Sequence, residues 1–473
     1  MIRCAAPRVN SWLFLRGPRP VKIAVVGAGI TGMSAAWLLS TRHEVVLFEA
    51  ASRLGGHSNT VEVVTPTGIC PVDTGFIVYN TASYPNLIAL FDLLDVPTAA
   101  TDMGFSVSLD QGAYEYSGSG LAGLFGQKRN IARPKHWRMI AEILRFFKQT
   151  SALDLATLPA SLTLGTWLTS QRYSKSFIHA HIIPMGAAIW STPAVEMLDF
   201  PFAAFVRFFA NHGLLQTAGR PEWRTVIGGS RQYVTRLKRG ISGRIALGDP
   251  VTWVEGKPGS AKVTTRSGNI ENFDCVLVAC HADEALKITA SADDETRKLL
   301  GAFRYQPNLA CLHTDASFMP KRKAVWSSWN YLGSRRELEG AMPPDVSLTY
   351  WMNKLQPLET NNNYFVTLNP VRTIAESEIV GRYAYRHPMF DTRALTAQKQ
   401  LGSIQGRNRV WYAGSYFGYG FHEDGLEAGL AAAEDMTAAL APDTRVSRPW
   451  AFDETKSRIA PRCAIRKSMM VHA

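Results

Sequence analysis

Gly27, Gly29 and Gly32 stand at the spacing with which a backbone turn grips a pyrophosphate. Gly27 permits a tight turn, Gly29 lets phosphates approach the main chain, and Gly32 lets a helix pack closely on a strand. Glu49 follows 22 residues after Gly27, where a carboxylate accepts the ribose hydroxyls and repels a 2′-phosphate. This chemistry needs a strand before the glycines, a helix after them and a second strand ending at the acid. Residues 21–26 read as a short buried strand, the glycine turn runs on through Ile30 and Thr31, residues 33–41 read as a helix, and residues 44–48 as a second buried strand. The helix start adds free N–H groups and about half a unit of positive charge for the phosphates.

The whole chain has 473 residues, 46 % of them hydrophobic and 19 % charged, which is globular composition and excludes a disordered or fibrous protein. Its formal charge of +12 invites a polyanionic partner, but the charge is unevenly placed. Residues 1–43 carry Arg3, Arg8, Arg16, Arg19, Lys22 and Arg42 with no acid, and residues 442–473 carry a net +4, so the body between them is nearly neutral. With no nucleic-acid module in view, no nucleic-acid partner is expected. The N-terminal apolar run, Trp12 to Leu15, is too short for a secretory signal; a transit peptide or a basic extension both suit it. No stretch reaches the length of a membrane span, and residues 182–210 are broken by Pro184, Pro193, Asp199 and Arg207. Six scattered cysteines with no CxxC pair fit a reducing cytoplasm.

Directly after the ribose acid, Glu49-Ala50-Ala51-Ser52-Arg53-Leu54-Gly55-Gly56 supplies a cation and a second glycine pair. On these residues the sequence resembles the flavin-containing amine oxidoreductases, a superfamily that includes protoporphyrinogen oxidases and carotene desaturases. There the second loop wraps over the pyrophosphate of FAD, and the motif continues with Arg where this chain has His57. Asp73-Thr74-Gly75 resembles the family's segment beside the flavin, and residues 226–237 its return to the cofactor domain. The strand at Val251 resembles one that offers backbone groups to adenine, and residues 409–415 one that leads into the turn at Gly414 and Ser415. The Ala-rich helix that opens with Glu423-Asp424-Gly425 and runs through Leu440 resembles one whose N-terminus faces the flavin.

A closer resemblance is to bacterial FAD/NAD-binding oxidoreductases encoded beside cyclopropane-fatty-acid synthases. It rests on residues 73–80, 185–192, 209–214 and 416–425. The resemblance implies an α/β chain with a Rossmann-like, glutathione-reductase-type FAD domain and an interleaved mixed α+β substrate domain. Residues 21–100, 220–300 and 400–441 are expected to form the first, and residues 101–219 and 301–399 the second. A basic extension (1–20) and a basic tail (442–473) flank them. It also implies oxidation or desaturation of an apolar, membrane-lipid acyl substrate, with amine oxidation and a non-catalytic flavin-bearing partner of a lipid methyltransferase as alternatives.

Many amine-oxidising relatives carry a lysine in a strand that corresponds to residues 305–313, which hold none. The relatives' flavin-linking cysteine has no counterpart near Tyr385 to Pro388, so the FAD is expected to be non-covalent. His422, three residues before Gly425, suits either a proton carrier or an aromatic wall. His57, His281 and His387 are further titratable candidates. His179 and His181 have the spacing of a metal pair but no third ligand, so no metal is expected. Residues 128–148 interleave seven cations with Trp137, Met139, Ile140, Ile143, Leu144, Phe146 and Phe147; an ordinary helix with a solvated face and a peripheral contact with the inner membrane surface both fit.

Overall fold

The computed structural model describes residues 20–66, 68–159, 161–190, 194–334, 347–453 and 457; most of both basic ends lies outside them. Five strands, β1 (Lys22–Val26), β2 (Glu44–Glu49), β3 (Arg244–Leu247), β4 (Cys275–Val278) and β5 (Val410–Tyr412), pair in the order β3-β2-β1-β4-β5, all parallel. Parallel strands joined by crossovers are covered on both faces, which is why β1 and β4 are runs of Val, Ile, Leu and Ala without alternation. Three helices serve this sheet: α1 (Ile30–Leu39), α2 (Arg231–Gly240) and α3 (His422–Leu440). α1 is buried everywhere except Trp37, so its sequence shows no polar stripe. An antiparallel meander over Val251–Lys257, Ser260–Thr265 and Ile270–Phe273 leads directly into β4.

The second layer is a seven-stranded mixed sheet. In order across the sheet its strands are Ile379–Met389, Arg304–His313, Phe365–Leu368, Ser347–Trp351, Trp329–Gly333, Phe105–Leu109 and Tyr114–Ser117. Every pairing is antiparallel except that of Trp329–Gly333 with Phe105–Leu109. Helices Pro134–Ser151, Ile183–Trp190 and Phe202–Asn211 complete this half, and their Phe146, Phe202 and Phe205 join Phe177 of the turn Lys175–Phe177 in a fully buried aromatic core. The chain therefore visits the five-stranded sheet first, returns to it at residues 231–278, and closes it at residues 410–440.

One carboxylate joins the visits. Asp73 ends the strand Gly68–Asp73, and its oxygens accept hydrogen bonds from Thr60 Oγ1 (2.6 Å), Ser230 N (3.0 Å), Ser230 Oγ (2.8 Å) and Gln356 Nε2 (2.8 Å). Its own N–H donates to Gln356 Oε1 at 2.9 Å. Burial pushes the carboxyl up to about 6 although four donors favour its ionised form. Ala at this position would leave three segments with buried, unpartnered donors. Asp73→Ala is expected to cost about 2–4 kcal/mol in denaturant unfolding of the cofactor-free protein.

Candidate active site

The three glycines of the first turn meet three different demands. Gly27 has φ +105° and a Cβ there would lie 2.7 Å from the Ala279 carbonyl oxygen. A Cβ on Gly32 would lie 1.8 Å from the carbonyl oxygen of Gly27, so α1 is seated against the turn itself. Gly29 has no atom within 4 Å of its Cβ position and opens directly into a cavity. The second glycine pair folds back over the first: Gly55 N donates to Ala28 O (2.8 Å), and a Cβ on Gly56, at φ +56°, would touch Gly29 Cα at 3.0 Å. Glu49, at the end of β2, accepts from Ala28 N (2.7 Å) and Ala51 N (2.8 Å), fixing the acid beside the turn. Ala50 is exposed beside it, and Gly248, just ahead of Val251, donates to the Glu49 and Ala51 carbonyls at 3.0 Å.

α1 and α3 bring their N-termini to the same place. A Cβ on Gly425 would meet Thr31 Oγ1 at 2.9 Å, and one on Gly429 would meet the Thr31 carbonyl oxygen at 2.3 Å. Ile30 and Thr31 from one helix start, and Gly420, Phe421 and His422 from the other, line the cavity together. Two acids hold the α3 end in place. Asp424 Oδ2 accepts from Tyr419 N (3.0 Å) and Phe421 N (2.8 Å), while Glu423 accepts from Asn86 N (2.8 Å) and Leu87 N (2.9 Å) at the start of another helix.

The cavity, about 790 Å³, is also lined by Gly56, His57, Thr74, Gly75, Gly414 and Ser415. Gly27, Gly32, Glu49, Ala50, Arg53, Gly55, Asp73, Val251, Asp424 and Gly425 are not part of its wall. Arg53 is exposed and spends its guanidinium on the carbonyls of its own loop, donating to Gly56 O at 2.8 Å and Ser58 O at 3.3 Å. Asp73 and Asp424 are consumed by the clamps described above, because a buried carboxylate beside several orphan N–H groups binds them before anything else.

Sequence order hid two side-chain clusters. His57 packs against Tyr385, His387 and His281 with ring centroids 5.0, 5.6 and 6.0 Å away, and its buried Nε2 has no partner among the described residues. Burial, aided by the neighbouring imidazoles and Arg53, lowers His57 to about 4; burial likewise lowers His281 to about 4 and His387 to about 3. The second cluster holds His422. Its ring stacks on Phe76 at 3.8 Å, and its Nε2 lies 2.7 Å from Tyr233 OH and 3.0 Å from Ser58 Oγ. Burial lowers His422 to about 3, with a smaller contribution from His57. Of the two roles its spacing suits, a neutral ring stacked and hydrogen-bonded in this way favours the wall. Ser58 and Tyr233 carry no sequence signal, being 364 and 189 residues from His422.

Much of the remaining wall is apolar, with Phe105, Ile140, Ile143, Phe147, Met185 and Trp190 from the second domain. Among the described residues its cations are Arg220 and Arg386, and no lysine lines it. Its two acids are paired, Asp102 with Lys354 (3.3 Å) and Glu222 with Arg224. Cys280 is the one cysteine of the described wall, and burial holds its thiol well above the ordinary value. No group of His, Cys, Asp and Glu among the described residues has metal-ligand geometry, and His181 instead meets Tyr116 OH at 3.0 Å.

The architecture is thus a Rossmann-like dinucleotide-binding domain interleaved with a mixed α/β domain, the two enclosing one cavity. Comparison with known proteins agrees. Residues 25–94 match the model of an NAD(P)-binding Rossmann-like domain. The L-amino acid oxidase of Cerastes cerastes is 50 % identical over 42 residues, which are 9 % of this chain and 8 % of that protein. A CLA-producing fatty acid isomerase from P. acnes superimposes with a TM-score of 0.64 at 12 % identity, over 89 % of this chain and 99 % of the other. Cyclohexylamine oxidase from Brevibacterium oxydans IH-35A gives 0.64 at 15 % identity, over 89 % and 100 %. No helix among the described residues is long and apolar enough to cross a membrane.

Two expected outcomes follow from this geometry. Gly29→Ala should leave the melting temperature of the cofactor-free protein unchanged while abolishing dinucleotide retention, because its Cβ fills only the open face. Gly32→Ala should prevent stable folding with or without cofactor, because its Cβ displaces backbone. The imidazoles set a pH dependence. The unfolded chain protonates His57, His281, His387 and His422 near 6.5, whereas the folded chain does so only near 3 to 4. Stability of the cofactor-free protein is therefore greatest above pH 6.5 and declines as the pH falls through that window. Asp73, raised to about 6, works in the opposite sense and offsets part of the decline. Thermal melts at about pH 7.5 and about pH 5 should differ, and His387→Gln should narrow the difference.

Proposed function

We propose that this chain is an FAD-dependent oxidoreductase that oxidises an apolar, acyl-type substrate. The observation that carries this reading is a single cavity that runs from the open face of Gly29 to a wall of apolar side chains. Its glycine end fits a dinucleotide: the bare face of Gly29, the second loop at Gly56, two helix N-termini and the unpartnered His57 Nε2 all meet there. Glu49, fixed at the end of β2, favours the free ribose of FAD over a 2′-phosphorylated nucleotide. When bound, the flavin supplies a two-electron acceptor for hydride. The protein supplies position and electrostatics. The α1 and α3 N-termini favour negative charge at that end, and aromatic and aliphatic side chains predominate toward the other. His422 is a wall residue, kept neutral by burial and fixed in place by Tyr233, Ser58 and Phe76.

The wall favours an acyl chain over an amine. An ammonium group seeks a free carboxylate, and both acids of the described wall are already paired with cations. The fold itself accommodates fatty-acid chemistry, as the isomerase from P. acnes illustrates. No cysteine lies near Tyr385 to Pro388 in the sequence, which supports a non-covalent cofactor.

Purified protein should be yellow and should release FAD, not FMN, on acid treatment. Mixed anaerobically with acyl phospholipids or fatty acids, it should lose its oxidised-flavin absorbance, and primary amines should leave that absorbance unchanged. Bleaching by amines and not by acyl substrates would overturn the substrate assignment.

A further inference from the structure

The cavity opens beside a surface that the active site does not explain. Leu144 lines the cavity and is also 50 % exposed, so the cavity reaches the surface at the helix Pro134–Ser151, as it does at the exposed lining residues Thr217, Arg220 and Glu222. Gly118 and Ser119, also exposed, line the cavity from the neighbouring turn. One stripe of the helix, Ile140, Ile143 and Phe147, faces inward. The adjoining stripe faces outward through Trp137 (50 % exposed) and Leu144, which are seven residues apart and share a helix face.

The outward stripe belongs to a larger apolar patch. Trp137 packs on Phe125 with ring centroids 4.9 Å apart, and its Nε1 donates to Ile131 O at 2.8 Å. Phe125 ends the helical turn that starts beside Leu121, and Leu121 and Ile131 are 75 % and 58 % exposed. Four large apolar side chains thus stand out of one continuous surface.

Cations surround them. Lys128, Arg129, Lys135, Arg138 and Lys148 are exposed, and the helix's one acid, Glu142, is turned inward. Glu142 accepts from Ser174 N at 3.2 Å and from Ser174 Oγ, while pairing with Arg138 at 3.3 Å. Lys128, Lys135 and Lys148 have no ion-pair partner among the described residues. A solvated helix face carries charges of both signs and few exposed rings; this one carries one sign and standing apolar groups.

We propose that this face docks on an anionic phospholipid bilayer, with Leu121, Ile131, Trp137 and Leu144 entering the headgroup region and the cations meeting lipid phosphates. The cavity mouth then opens onto the acyl layer, and an apolar substrate reaches the buried site without crossing water. Docking stands on the surface alone; only the route for substrate rests on the acyl-chain reading above.

The test is sedimentation of the full chain with phosphatidylcholine vesicles, with and without phosphatidylglycerol, at low and high salt. Binding should require phosphatidylglycerol and weaken with salt. At about fivefold in partitioning per surface cation, the variant Lys128→Glu/Lys135→Glu/Lys148→Glu should bind at least about a hundredfold less. Lys298→Glu/Lys399→Glu/Arg266→Glu, with the same charge change outside this face, should bind much as the unaltered chain does. Both variants keep the basic ends, so those segments cannot produce a difference between them. Leu121→Asp/Ile131→Asp should also reduce binding, while its FAD content and melting temperature report that the fold is intact. Equal binding to neutral vesicles, or equal binding by the two triple variants, would overturn the proposal. Running the cofactor-free protein in parallel separates the two readings: docking lost with FAD retained leaves the enzymatic reading standing, and the reverse leaves the docking surface.

Discussion

A Cβ on Gly429 would stand 2.3 Å from the carbonyl oxygen of Thr31, and one on Gly425 would stand 2.9 Å from its hydroxyl. α1 and α3 can approach this closely only because those two positions lack side chains. The approach fixes where both helices begin, and the cavity floor is made of those two beginnings. With either glycine enlarged, α3 would ride outward, carrying Phe421 and His422 away from the turn at Gly29. The fields of two helix ends add where they converge, which makes the floor favourable for phosphate and for reduced-flavin charge.

The buried carboxylates serve that convergence. Asp424 folds the turn at residues 418–421 under α3, Glu423 ties α3 to the helix after Tyr84, and Asp73 ties Thr60, Ser230 and Gln356 together. None of the three faces the cavity. Each satisfies several orphan donors, which is how a fold built from distant segments keeps its loops from opening into the site. The wall is thereby spared these three carboxylates, and neutral imidazoles, aromatic rings and aliphatic chains make up most of it beside the ion-paired Asp102 and Glu222 and the cations Arg220 and Arg386.

The first strand, its glycine turn, α1, β2 and Glu49 were legible because their signals are local: apolar runs, glycine spacing and a terminal acid within thirty residues. α3 was legible for the same reason, and begins at His422. The seven-stranded sheet was not, since its strands are gathered from residues 105–117 and 304–389, and nothing local specifies which pair. Side-chain duties were harder still. Asp73 and Asp424 had the right type and place for ligands, and three-dimensional neighbours turned them into clamps. The histidines at 57, 281, 387 and 422 were each visible as candidates. Their grouping, and the burial that holds them neutral, depends on segments more than two hundred residues apart.

Because β1 lies between β2 and β4, and α3 packs on α1, the first elements of this layer in chain order are completed by the last. Until residue 429 emerges, α1 has an apolar flank with nothing against it and the nucleotide turn has half its floor. Nearly four hundred residues must be made in the interval. The flank of α1 and the second half of the nucleotide floor are therefore completed only by residues 422–429, the last segment to join this layer.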